Sequence, residues 1–408
     1  MSAFEPRDRA PLRVCFPFVG DDIGGSHISA LKLIQGLDRR RVTPVVVVER
    51  PTGPLGDRLT REGVRWVNLA LGETLAPGGR DPLAAAAYFA RTLPLVRRFL
   101  REGQFDIVHT NDGRTHVNWG LGARLAGAGQ VWHHRGDPTA RGVNRLAPLI
   151  ARQVVAVSRF ARPRRPILPL GDRLKVIHSP FEHPAFYPDR AAARRTLLSE
   201  LGLPESTHVL GYFGGLIDRK RPLLFVDIVH RFRRRHPEIP VVGCLFGVSP
   251  PQGPDFETAV RERAAALGLS DDAIRLMGFR TPVEPCMSAT DILLVPAVNE
   301  PFGRTLIEAM FLGTAVIATA HGGNPEAIRD GETGFLVEPE NADAFVEPIR
   351  HLLSDASAFL RVTDAAHVEA LKTYSVAHHV AEVMEVYGRA AAHRRPVPSM
   401  GHWRESVS

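Results

Sequence analysis

Two acids carry the sharpest chemical signal in this chain. Glu300 and Glu308 stand eight residues apart in Asn299-Glu300-Pro301-Phe302-Gly303-Arg304-Thr305-Leu306-Ile307-Glu308. Glu300 follows a strongly apolar run, and Glu308 sits among Ala309, Met310 and Phe311. A carboxylate in apolar surroundings is costly unless it has a partner. A ribose diol suits it, because one carboxylate can accept both hydroxyl protons. The N–H groups of Gly303, Arg304 and Thr305 open a helix and are placed to face phosphate. Phe302 belongs to the same ligand-facing turn.

Three further turns could do chemistry. Gly20-Asp21-Asp22-Ile23-Gly24-Gly25-Ser26 precedes a helix, and its paired Gly24 and Gly25 let backbone approach an anion closely. It is neither a GxGxxG fingerprint nor a P-loop. Gly214-Gly215-Leu216-Ile217-Asp218-Arg219-Lys220-Arg221-Pro222 sets three cations at a helix start, where a diphosphate would be well held. Val131-Trp132-His133-His134-Arg135 ends a strand, and adjacent histidines on a strand point to opposite faces. His134 and Arg135 are the catalytic candidates there, with His133 open as an alternative. Asn111, Asp112 and Arg114 could line the same cleft.

The elements that must position these turns alternate between strand and helix. Strand signals cover Arg13 to Phe18, Val42 to Glu49, Val64 to Leu69, Asp106 to Thr110, Gln130 to His134 and Val154 to Val157. Helical spacing covers Ser26 to Leu37 and Leu83 to Arg101, the latter with a kink expected at Pro94. Arg162 to Pro188 is proline-rich and aperiodic, which predicts a crossover. A second series follows, with strands at Val209 to Phe213, Pro240 to Phe246, Ile274 to Gly278, Asp291 to Pro296 and Ala315 to Thr319. Its helices include Pro222 to Arg235 and Phe302 to Leu312, and the last run from Ala342 to about Ala392. This pattern predicts an α/β protein of two Rossmann-like, doubly wound parallel-sheet domains facing a central cleft. The expected division is 1–180, 181–375, and a helix and tail at 376–408 able to cross back to the first domain.

The 408 residues are 44% hydrophobic and 23% charged, which is ordinary for globular chains. Cys15, Cys244 and Cys286 are scattered and form no zinc motif, so a reduced, cytoplasmic setting is expected. No apolar run approaches the ~20 residues of a membrane span, and the N-terminus lacks a signal-peptide core. There is no HExxH, GxSxG or DxD motif, so no metal is expected. The net charge is +7, yet only four basic residues are lysines, which singles out Lys220. Arg39 to Arg41, Arg97-Arg98-Arg101 and Arg162-Arg164-Arg165 could meet an anionic membrane surface. No aromatic-interleaved basic motif supports nucleic-acid binding.

The segment Val209 to Pro339 resembles the retaining GT-B glycosyltransferases of family 4, group 1. The resemblance rests on Gly214 to Lys220, the Glu300-to-Glu308 motif, Gly313-Thr314-Ala315-Val316-Ile317, Gly322-Gly323-Asn324-Pro325-Glu326 and Asp330-Gly331-Glu332-Thr333-Gly334-Phe335. Gly24-Gly25 and the strand before Arg135 extend it to the first half. It implies GT-B architecture and a nucleoside diphosphate sugar as donor, with no other cofactor. Lys220 would hold the diphosphate, with Arg219 or Arg221 in place of the family's arginine. Glu308 would hold the ribose, Glu300 would lie near the transferred sugar, and Gly24 and Gly25 would close over the phosphates. The implied activity is sugar transfer with retention to a saccharide or lipid-linked acceptor, in surface polysaccharide or glycolipid synthesis at the inner face of the membrane. A nucleotide-sugar epimerase or phosphorylase of the same architecture is the competing enzyme reading, and a non-catalytic membrane-surface binder the other. Two positions depart from the family pattern: Gly215, where arginine is frequent, and His178-Ser179-Pro180, where Asn-Gly is frequent.

Overall fold

The computed structural model describes residues 10–72, 82–182, 187–251 and 253–391. Strands β1 (Leu12–Phe18), β2 (Val42–Val48), β3 (Trp66–Asn68), β4 (Ile107–Thr110), β5 (Gly129–His134), β6 (Gln153–Ala156) and β7 (Leu174–Val176) form a parallel sheet in the order β3-β2-β1-β4-β5-β6-β7. Its helices are α1 (Gly25–Gly36), α2 (Pro54–Arg61), α3 (Pro82–Glu102), α4 (Gly113–Ala126) and α5 (Ala147–Ile150). The inner strands are buried on both faces, which is why β5 and β6 read as continuous apolar or neutral runs.

The second sheet contains β8 (His208–Phe213), β9 (Val241–Phe246), β10 (Ile274–Gly278), β11 (Ile292–Val295), β12 (Ala315–Thr319) and β13 (Phe335–Val337). Its order is β10-β9-β8-β11-β12-β13, again parallel. Its helices are α6 (Arg190–Leu201), α7 (Pro222–Arg235), α8 (Phe256–Ala266), α9 (Glu284–Ala289), α10 (Arg304–Phe311), α11 (Asn324–Ala327), α12 (Val346–Ser354) and α13 (Ala356–Thr373). In both sheets the strand order reverses next to the first strand of the domain, between β1 and β4 and between β8 and β11. Loops at the carboxyl ends of these pairs diverge and leave room for ligand.

The last helix, α14 (Val376–Ala391), lies on the first domain. Val383, Val386, Tyr387 and Ala390 enter the core formed by Phe16, Ile34 and Val131. Burying each of the two valines contributes about 1.5–3 kcal/mol. The chain therefore crosses between the domains twice, and Phe181 N–H donates to the Tyr374 carbonyl where the crossings meet.

Two expectations need correction. Residues 162–188 are not wholly a crossover, because Leu174–Val176 pairs with β6 as the edge strand. Three half-buried residues give too little alternation to announce themselves. The stretch 64–69 pairs only over Trp66–Asn68. Helix α3 contains Pro94, the position where a kink was expected. The expected loose tail from Pro396 lies outside the described residues. Among the described residues no helix is long and apolar enough to cross a membrane.

Candidate active site

A cleft of about 970 Å³ lies between the two sheets' carboxyl ends. Gly25 and Arg135 line it from the first domain, and Lys220, Glu300, Arg304 and Thr305 from the second. The structure thus brings both halves of the expected site to one place.

The first glycine turn is pinned by charge. Asp21 accepts two hydrogen bonds from the Arg114 guanidinium, at 2.6 and 2.7 Å. Arg114 holds the Asp21 carboxyl below the usual carboxylate range, against the opposing effect of burial. Gly24 caps α1, and its N–H donates to His27 Nδ1 at 3.0 Å. Gly25 faces the other domain. A Cβ there would stand 2.9 Å from Arg304 Cδ, so a side chain would push against the facing wall.

On the second domain, β8 runs into Gly214, whose φ of +124° an L side chain rarely adopts. The empty side of this turn is filled by Lys220. Its Nζ would be 2.6 Å from a Cβ at position 214. Burial lowers the Lys220 pKa, and the negative Glu300 opposes that shift. Among the described residues no carboxylate forms an ion pair with this ammonium, and it lines the cleft.

Glu300 is largely buried and paired with Arg219. The Gly322-Gly323 pair explains how its backbone is held. Gly323 N–H donates to the Glu300 carbonyl at 2.9 Å, and a Cβ on Gly322 would come within 2.5 Å of that oxygen. Asn299 N–H donates to His321 Nδ1 at 3.0 Å. Helix α10 begins directly afterwards, and Gly303 supplies no side-chain cap, so its first N–H groups remain available. Phe302 stacks on His178, with ring centroids 4.9 Å apart.

Glu308 is not the buried acid expected from its apolar neighbours. Its side chain is 32% exposed and its partner is Arg304, one turn earlier, at 3.3 Å. The same guanidinium donates to Ser29 Oγ of α1 at 3.0 Å. Arg304 therefore spans the cleft.

At the end of β5 the structure separates the three candidates. His134 is buried and does not line the cleft, its Nε2 3.0 Å from the Asp137 carbonyl. His133 is in the core. Only Arg135 lines the cleft. It donates to Ser179 Oγ at 3.0 Å and to His133 Nδ1 at 3.3 Å. Because a guanidinium can only donate, His133 Nδ1 is an acceptor. His109 Nε2, 3.1 Å from that nitrogen, must then donate, so His109 Nδ1 accepts from the Tyr387 hydroxyl at 2.7 Å. The chain of bonds runs from α14 to the cleft. Burial and the nearby Arg135 charge lower the pKa of His109 and of His133, so both rings are neutral. Arg135 itself has no carboxylate partner among the described residues. Burial, with a smaller effect of Arg304, brings its pKa down to about 9.

Sequence reasoning missed the groups that join the domains here. Ser158 donates to the Pro301 carbonyl at 2.5 Å. Glu326 accepts from the N–H groups of Arg159 and Phe160, at 2.7 and 2.9 Å, and lies 3.3 Å from His178 Nε2. Glu326 was visible as the end of the Gly322-to-Glu326 motif, but nothing local says what it reaches. Among the described residues no group of three or more histidine, cysteine, aspartate or glutamate side chains could hold a metal ion.

Comparison with known proteins bears on the family and the two-domain fold. Residues 24–164 match the glycosyl transferase 4-like domain, and residues 207–355 match the glycosyl transferases group 1. A D-inositol 3-phosphate glycosyltransferase of Corynebacterium glutamicum is 32% identical over 225 residues, covering 54% of this chain and 53% of that protein. An alpha-maltose-1-phosphate synthase of Mycolicibacterium smegmatis is 26% identical over 260 residues, covering 61% and 66%. The chain thus spans about half the length of the first curated relatives it matches. The fold is shared with Anabaena Alr3699/HepE, solved with UDP and glucose, at a TM-score of 0.75, 20% identity and coverage of 92% and 99%. It is shared also with the sucrose-phosphate synthase of Thermosynechococcus elongatus, at 0.72, 19%, 94% and 100%. Matched in both halves and built as two parallel-sheet domains around one cleft, the chain belongs to the group 1, family 4 glycosyltransferases of GT-B architecture.

Proposed function

We propose that this protein transfers a sugar from a nucleoside diphosphate sugar to an acceptor hydroxyl, with retention at the anomeric carbon and without a metal ion. The observation that carries the reading is Lys220: a cleft-facing ammonium under the Gly214 turn, with no ion-pair partner among the described residues. A departing diphosphate supplies the negative charge it lacks, and the open N–H groups of α10 add to the same field.

Each candidate then has a task. Lys220, with Arg219 beside it, holds the diphosphate. Gly303, Arg304 and Thr305 offer backbone donors, and Phe302 fixes the turn that carries them. Glu308 takes the ribose once Arg304 releases it. Glu300, oriented by Arg219 and Gly323, accepts from hydroxyls of the transferred sugar. Gly24 and Gly25 let the first domain close over the phosphates. Arg135 faces this group from the first domain, in place of His134. Closure excludes water, which would otherwise hydrolyse the donor. The relative solved with UDP and glucose supports a donor of this class.

The acceptor we assign is a saccharide or lipid-linked saccharide, in surface polysaccharide or glycolipid synthesis. The excess of basic over acidic residues suits an anionic surface at the inner face of the membrane.

A panel of UDP-, GDP-, ADP- and dTDP-sugars tests the reading. One donor should stabilise the fold and release its nucleotide in the presence of an acceptor. NMR of the product should show the donor's anomeric configuration. Activity should survive EDTA. An isomerised nucleotide sugar or a sugar phosphate as sole product would favour an epimerase or phosphorylase instead.

A further inference from the structure

The cleft is more positive than a donor requires. Seven cationic side chains line it, against the two carboxylates of Asp137 and Glu300. Glu300 is taken by Arg219, and Asp137 accepts from Thr139 at 2.6 and 2.7 Å. In the donor reading Lys220 and the start of α10 meet the diphosphate. These groups all come from the second domain. Arg135, Arg159, Arg162 and Arg164 stand on the first-domain side of the same cleft, and none pairs with a carboxylate among the described residues.

The turn that carries three of them is fixed from several sides. Glu326 holds the N–H groups of Arg159 and Phe160. Ala161 N–H donates to Ser158 Oγ at 3.0 Å, Arg164 N–H to the Pro138 carbonyl at 3.0 Å, and Arg165 N–H to Asn144 Oδ1 at 2.7 Å. A basic run that merely faced solvent would gain nothing from such anchoring. Here it presents exposed guanidinium groups along one wall, above the sunken Arg135. One guanidinium satisfies a planar carboxylate with a single fork of donors. Several on one short turn offer donors in different planes, which suits the oxygens of a tetrahedral anion.

We propose that Arg159, Arg162 and Arg164, with Arg135 at the base, bind a phosphate group carried by the acceptor. This rests on the transferase reading and adds the acceptor's chemical class. The basic segment that the sequence offered as a membrane patch thereby becomes part of the site. The phosphate could belong to a soluble sugar phosphate or to a lipid headgroup, and the chemistry of recognition is the same.

The test uses the full chain and an Arg162→Gln/Arg164→Gln double variant, whose altered side chains are exposed and make no hydrogen bond or ion pair among the described residues. Glucose 6-phosphate, inorganic phosphate and glucose are titrated against each protein, with and without the nucleoside diphosphate that binds best. The wild type should prefer glucose 6-phosphate over glucose by about tenfold or more, with the preference shrinking as salt rises. The variant should lose that preference and keep its nucleotide affinity. A second arm uses vesicles of phosphatidylcholine alone and of phosphatidylcholine with phosphatidylinositol 4-phosphate. Arginine-dependent binding confined to the phosphorylated vesicles would assign the phosphate to a lipid. Equal behaviour of wild type and variant in both arms overturns the proposal. Failure of every nucleoside diphosphate to bind would instead sink the donor reading, while the phosphate arms remain readable.

Discussion

Arg304 Nη2 lies 3.3 Å from Glu308 Oε1, and Arg304 Nη1 lies 3.0 Å from Ser29 Oγ in the opposite domain. One guanidinium thus occupies the acid assigned to ribose and also ties the domains together. Its carbon ζ sits 4.4 Å from the Phe181 ring centroid, beside the chain crossover. In the proposed donor pose Glu308 exchanges this part-buried ion pair, worth only about 0.3–0.5 kcal/mol, for bonds to sugar hydroxyls. Glu308→Ala should therefore weaken nucleoside diphosphate binding by about 1.5–3 kcal/mol, read by calorimetry. Binding of inorganic pyrophosphate should change little. An unchanged nucleotide affinity would remove the ribose role.

Lys220→Ala should show the converse selectivity. The loss of an unpaired cleft ammonium falls on the diphosphate, so nucleoside diphosphate affinity should drop by about tenfold or more while nucleoside affinity holds. Equal losses for both ligands would mean that Lys220 supports the turn rather than the phosphate.

Gly214→Ala should impair the same step by a different route. The new methyl meets Lys220 Nζ at 2.6 Å and must adopt a φ of +124°. The backbone strain alone costs about 1–3 kcal/mol. The melting temperature should fall and diphosphate binding should weaken, because Lys220 must move. Wild-type values for both would contradict the packing of lysine against glycine.

Glu49 gives a pH prediction independent of the active site. It directly follows β2, almost fully buried, and its Oε1 accepts from Trp119 Nε1 at 2.8 Å. Its other oxygen has no hydrogen-bond partner among the described residues. Burial raises its pKa from 4.5 to about 7, with the Trp119 bond opposing. A raised folded pKa means that the fold favours the protonated acid. That stability is fully present below pH 4.5 and is lost as pH rises towards 7, by of order 3 kcal/mol in all. Glu49→Gln should match the wild type at pH 4 and exceed it above pH 7 in denaturant titrations. A constant difference across that range would show that Glu49 does not titrate with folding.

The sequence by itself carried the fold class and the second-domain motif. Apolar strands alternating with helices leave a parallel sheet as the way to bury both strand faces, and strand-end glycines beside Lys220 and Glu300 point to an anion. These signals are local, a few residues long, and survive without knowledge of what packs where. Edge strand β7 was hidden because three half-buried residues have no period to read.

Tertiary structure decided the rest. Which of His133, His134 and Arg135 lines the cleft is decided by packing: His133 is buried, linked through His109 to Tyr387 more than 250 residues away. Glu308 looked buried because its neighbours are apolar, yet those neighbours occupy the other face of α10. The cross-domain bonds of Arg304, Ser158 and Glu326, and the arginine wall at Arg159 to Arg164, exist only because two domains meet. Distances across that meeting are set by three-dimensional packing, and no spacing along the chain encodes them.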